Sequence, residues 1–109
     1  MDVQTRFEAL VDALAAEPGV QPPGSTGSLG FGSRALRLQG SVFAMVVSDL
    51  VVLKLPAERV AGLIATGRGG PFGTGTRGPM REWVTLLDDD PATILTLGRE
   101  ALAFARARG

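Results

Sequence analysis

Apolar residues recur along this chain in two rhythms, and the change from one to the other predicts its architecture. Phe7, Leu10, Val11 and Leu14 fall three and four positions apart, which puts them on one side of an amphipathic helix over residues 3–16. Thr5 and Glu8 have the spacing of a capping box, in which each side chain accepts a bond from a free backbone N–H, and Pro18-Gly19 ends the helix. From Leu36 to Leu55 the texture becomes that of a three-strand meander. Ala35 to Gln39 alternates apolar with polar residues, Val42 to Val47 is continuously apolar, and Leu50 to Leu55 is aliphatic and β-branched. Gly40-Ser41 and Ser48-Asp49 stand where the hairpin turns belong.

Helical spacing then returns. Pro56 suits the first turn of a helix, where its missing N–H costs nothing, while Val60, Leu63 and Ile64 form the buried face and Gly67 stops it. Met80 to Leu87 reads as a strand. Asp90-Pro91 supplies an N-cap followed by proline at the first helical position. Ile94, Leu97, Ala101 and Phe104 mark the inner stripe of that last helix, and Arg106 and Arg108 favour its C-terminal dipole. Residues 18–33 and 67–78, rich in glycine and proline, are expected to be irregular, the first becoming extended near Leu29 and Phe31. The predicted order is helix, three strands, helix, one or two strands, helix. Tight hairpins imply antiparallel pairing, so the expected fold is a two-layer α+β domain with helices on one face of the sheet.

Composition narrows the chemistry. The 109 residues suit one domain, residues 1–109, able to bury roughly two-thirds of its unfolded surface. Cysteine is absent, which removes disulfides, thiolate metal sites and cysteine nucleophiles. Histidine and tyrosine are absent too, so no residue titrates near neutrality without a large shift, and serine-histidine catalysis has no base. A protein that is not an enzyme and carries no cofactor or metal is the expectation. Asp2, Glu8 and Asp12 do not read as a secretory leader, and the apolar run Val42 to Val47 is far shorter than the ~20 residues a membrane helix needs. A soluble, cytoplasmic protein follows, with no membrane contact.

Net charge is zero but uneven: residues 1–33 carry −3, residues 34–81 carry +5 and residues 82–109 carry −2. The central excess is the one electrostatic pointer to an anionic partner. Direct nucleic-acid binding is disfavoured, because it calls for a clear overall basic excess and free aromatics, whereas the six aromatic residues fall mostly in core patterns.

The run Gly40-Ser41-Val42-Phe43-Ala44-Met45-Val46-Val47, then Asp49-Leu50 and Leu53-Lys54-Leu55-Pro56, resembles the core motif of the TfoX N-terminal domain family and, more distantly, YjbR-like proteins. Phe31-Gly32, Pro71-Phe72 and Pro79-Met80-Arg81-Glu82-Trp83 extend the likeness over residues 29–84. The resemblance implies a small α+β fold with an antiparallel sheet. It also implies a link to regulation of competence genes, where full-length relatives act together with a cAMP-responsive transcription factor. This chain is similar to a stand-alone N-terminal domain, without the second helical domain, and has Val51 and Val52 where a tyrosine is common.

Three local patterns invite a chemical reading. Gly73-Thr74-Gly75-Thr76-Arg77-Gly78 matches G-x-G-x-x-G, but a dinucleotide site needs that motif to open a helix, and Pro79 with Met80 to Val84 reads as a strand. Asp88-Asp89-Asp90 has carboxylates suited to Mg²⁺ or Ca²⁺, yet consecutive side chains seldom converge on one ion, and helix capping explains Asp90. Lys54, the sole lysine, interrupts an apolar strand. It reads either as a solvent-facing cation that discourages edge pairing, or as one member of an anion-binding rim with Arg68, Arg77 and Arg81, near Phe72 and Trp83. Strand alternation places Trp83 in the core. The leading expectation is therefore a non-catalytic binding or regulatory module contacting a protein or a small ligand. The alternative is a small anionic ligand or nucleotide held by Lys54, Arg77 and Arg81. An exposed apolar sheet face or edge would favour a homodimer.

Overall fold

Two tight turns set the register of the sheet. The computed structural model, which describes residues 3–21, 35–73, 79–88 and 90–108, has Gln39 and Gly40 at φ 50° and 88° and Ser48 and Asp49 at 51° and 63°. Positive φ at both central residues is the geometry whose twist matches two antiparallel strands joined by two residues. The first turn is thus Gln39-Gly40, one residue earlier than expected, with Ser41 opening the next strand. Its Gly40 N–H donates to Gln21 Oε1 at 2.8 Å, which fastens the preceding short strand to the hairpin.

The elements are α1 (Val3–Leu14), β1 (Val20–Gln21), β2 (Ala35–Leu38), β3 (Ser41–Val47), β4 (Leu50–Lys54), α2 (Ala57–Ala65), β5 (Gly69–Gly73), β6 (Pro79–Leu86) and α3 (Pro91–Arg108). The six strands form one antiparallel sheet in the order β1-β2-β3-β4-β6-β5. All three helices join one shared apolar core with the sheet, so the fold is two-layer α+β. No helix among the described residues is long and apolar enough to cross a membrane.

Register decides which side chains enter the core. Leu36, Ala44, Leu53 and Val84 are cross-strand partners in sequence across β2, β3, β4 and β6, and each is fully buried. Above that row lie Phe7, Leu10 and Leu14 of α1, Val60 and Leu63 of α2, and Ile94, Leu97, Ala101 and Leu102 of α3. Val52, on the opposite face of β4, is buried as well, which is why this strand reads as a run and not as an alternation.

Several boundaries and faces differ from the sequence expectation. α1 already runs from Val3, so Thr5 lies inside its first turn and the capping position falls outside the described residues. β1 forms within the stretch expected to be irregular; residues 22–34, including Leu29 and Phe31, lie outside the described residues. β5 also replaces an expected irregular stretch. Three glycines and a proline leave its Gly-Gly-Pro-Phe-Gly sequence with little strand propensity beyond that of Phe72, and the pairing comes from β6 beside it. Ile64, assigned to the buried face of α2, is 39% exposed. That helix ends in a Schellman motif, with Gly67 at φ 77°, its N–H donating to the Ile64 carbonyl and the Arg68 N–H to the Leu63 carbonyl.

Gly98 governs how closely α1 approaches α3. A Cβ there would stand 2.5 Å from Leu10 Cδ1, a side chain only 1% exposed and hence without room to swing aside. Gly98→Ala should therefore destabilise the domain by about 1 kcal/mol net, as overpacking of about 1–3 kcal/mol outweighs a gain of up to about 1 kcal/mol in helix propensity. Urea denaturation checks this; a more stable variant would show that α1 is free to shift.

Candidate functional site

The middle of the sheet brings Lys54 and two aromatic rings together. Lys54 at the end of β4 is the register partner of Trp83 on β6, and its Nζ stands 5.8 Å from the indole ring centroid. Phe72 of β5 meets the other part of this cluster, its ring centroid 6.2 Å from that of Trp83 at an interplanar angle of 52°. An ammonium near an indole face is attracted by the ring quadrupole, and tilted ring pairs are favoured for the same reason. Because β4 lies between β3 and β6, Lys54 does not guard a sheet edge. Trp83 is half-buried and stands outside the main core cluster, in contrast to the core position expected from alternation.

Trp83 borders a groove of about 440 Å³ between α2 and the β5–β6 pair. Val60, Ala61 and Ile64 form its helical wall, Pro71, Met80 and Trp83 its sheet wall, and Glu58 and Arg81 supply charge at the rim. Ile64 and Met80 are exposed at 39% and 41%. A second concavity, about 390 Å³, lies between the C-terminal half of α3 and the β2–β4 meander, lined by Ser41, Val42, Lys54, Phe104 and Arg108 among others. Arg108 lies 5.3 Å from the Phe104 ring centroid and donates from Nη1 to Glu82 Oε2 at 2.6 Å.

The basic residues proposed as one rim are dispersed. Lys54 faces the second concavity and Arg81 the groove, with Trp83 touching both neighbourhoods. Arg68 sits where Gly69 pairs with Leu86, and its guanidinium donates to Asp88 Oδ2 at 3.3 Å. It serves the loop into α3. Arg77 lies outside the described residues, as does most of the glycine motif. Gly73, the first residue of that motif, and Pro79, which follows it, are partners in the antiparallel β5–β6 pair, so it links two strands and opens no helix. Sequence reasoning missed Ser41, Phe104, Arg108, Ile64 and Met80 as lining residues. Only the Phe104/Arg108 spacing of four on a helix was visible in advance.

Asp88 and Asp90 are occupied structurally. Asp90 Oδ1 accepts the Ala92 N–H at 2.9 Å as the N-cap of α3. Asp88 Oδ1 accepts the Asp90 N–H at 3.1 Å, while Oδ2 accepts from Arg68 and, at 3.4 Å, from the Thr93 hydroxyl. Asp89 lies outside the described residues, and no cluster suited to a metal ion occurs among those that are described. Compared against family models, curated proteins and solved structures, the chain matches none. The TfoX-like resemblance therefore rests on the motif residues alone.

The bond from the Asp90 N–H, aided by Arg68 and Thr93 against the cost of desolvation, holds the Asp88 carboxyl below its ordinary value of 3.8. A folded-state value below the unfolded one means that this stabilisation is complete above the ordinary value and is lost as pH falls through the lower one. The Tm difference between the wild type and Asp88→Asn should accordingly be widest near neutrality and close on acidification below pH about 4. A difference independent of pH would remove the charge from this account.

Proposed function

We propose that the chain is a non-catalytic binding module whose contact surface is the groove between α2 and β5–β6, and that this groove takes an apolar segment of a partner protein. The observation that carries the reading is the placement of Ile64 and Met80, two large apolar side chains exposed on opposite walls of one concavity. Single exposed apolar residues are ordinary, whereas grouped ones lining a concave surface mark a place of contact. Arg81 and Glu58 stand on the rim with no ion pair among the described residues, so the complementary segment carries an acid and a base beside its apolar anchors.

The absence of histidine, cysteine and tyrosine from the sequence supports a role without proton-transfer or nucleophilic chemistry. The TfoX-like motif supports regulation of transcription or competence, exerted in the cytoplasm through protein contact and not through DNA. A second reading, a small anionic ligand, is supported by Lys54, a half-buried cation with no acid paired to it among the described residues.

Selection from a random peptide display library against the whole chain tests the first reading. Enriched peptides should share spaced apolar residues with an acid and a base, and should bind Ile64→Glu and Met80→Glu at least tenfold more weakly while both variants keep wild-type circular dichroism. Arg81→Ala should weaken them less, by several-fold. Enriched peptides that bind both variants as tightly as the wild type, or no enrichment, would overturn the groove as the contact surface. Concentration-dependent dimerisation abolished by the same substitutions would make a second copy of the chain the occupant in place of a partner protein.

A further inference from the structure

The concavity beneath the C-terminal half of α3 is built differently from the groove, and its charge balance is the informative feature. Lys54 lines it from the end of a central strand, and the residue is half-buried. A cation removed from water calls for an opposite charge or an equivalent set of acceptors. Among the described residues no carboxylate lies within 4 Å of it to form an ion pair, and the indole of Trp83 stands 5.8 Å away. The other cation at this site, Arg108, is already matched by Glu82 at 2.6 Å. One uncompensated positive charge remains.

The rest of the lining sets what else the occupant must be. The lining is mixed: Leu38 and Val42 of the meander and Ala101 and Phe104 of α3 offer apolar surface, while Gln39 and Ser41 contribute polar side chains. A volume of about 390 Å³ falls within the roughly 300–1,000 Å³ typical of small-molecule sites. A doubly charged phosphate ester or a nucleotide would leave excess negative charge against these walls; a neutral apolar molecule would leave Lys54 unmatched. We propose that this concavity is a binding site for a small aromatic monocarboxylate, its carboxylate on Lys54 Nζ and the Ser41 hydroxyl and its ring against Phe104. The proposal deepens the anionic-ligand reading and does not depend on the α2 groove.

Titration calorimetry with phenylacetate, its neutral isostere phenylacetamide and inorganic phosphate tests the assignment on the intact chain. Phenylacetate should bind with a Kd in the micromolar to low millimolar range, phenylacetamide at least tenfold more weakly, and phosphate not measurably. Lys54→Met, which keeps most of the stem, should weaken phenylacetate at least tenfold, whereas Ile64→Glu in the groove should leave it unchanged. Amide-resonance shifts on titration should centre on Ser41, Val42 and Phe104, a readout that needs no variant to fold. Equal binding of acid and amide, or undiminished binding by a folded Lys54→Met, overturns the proposal. Phosphate binding that requires Lys54, with none of phenylacetate, overturns the aromatic monocarboxylate while sparing the anionic reading; no binding of either anion ends both.

Discussion

The structure depends on one cross-strand row, Leu36, Ala44, Leu53 and Val84, which forms the floor against which three helices pack. Each of these side chains is excluded from water, and burying a leucine or valine contributes about 1.5–3 kcal/mol. Because a strand slipped by one residue turns its whole side-chain set to the other face, the row also locks the register of everything attached to it. The place of Lys54 opposite Trp83 follows directly from the pairing of Leu53 with Val84 one residue earlier. The two concavities lie on either side of that point, so their geometry is inherited from the core.

Ion pairs play a smaller part and act between elements. Arg59 of α2 holds Glu100 of α3 through two bonds, at 3.0 and 3.2 Å, Arg106 reaches Glu17 beyond α1, and Arg108 reaches Glu82 of β6. All are exposed or partly exposed, where such pairs contribute about 0–1 kcal/mol each. Their consequence is electrostatic. The basic excess concentrated in residues 34–81 of the sequence is partly offset across the fold by acids from the C-terminal segment: Glu100 takes Arg59 and Asp88 takes Arg68. What remains positive is dispersed, with Lys54 and Arg81 in separate concavities.

The parts of the fold legible in the sequence are those with local causes. The Ser48-Asp49 turn, the Asp90 cap before Pro91 and the spacing of Phe7, Leu10 and Leu14 are decided within a few residues, and each appears in the structure as read. β5 was not legible, because Gly69 to Gly73 carries no β-branched residue. Its glycines suit close approach instead: a Cβ on Gly69 would stand 2.6 Å from Val84 Cγ2 and 3.2 Å from Leu63 Cβ, where α2 crosses the sheet. Among site residues, Lys54 and Trp83 could be found as a lone cation and an aromatic on strands, and Phe72 as an aromatic in the stretch read as irregular. Phe104 and Ser41 could not, since sixty-three positions separate them and only the docking of α3 brings them together. Ile64 followed the helical period and still turned outward, because β5 and β6 leave the space beside it open.

Native-state hydrogen exchange followed by NMR tests the primacy of the central row most directly. If Leu36, Ala44, Leu53 and Val84 are the floor of the fold, the backbone amides that bond β3 to β4 and β4 to β6 should exchange only through global unfolding, with the protection of β1 and β5 lower. Amides of α3 that outlast those of β4, or a β3–β4–β6 ladder that opens while the helices stay protected, would contradict it.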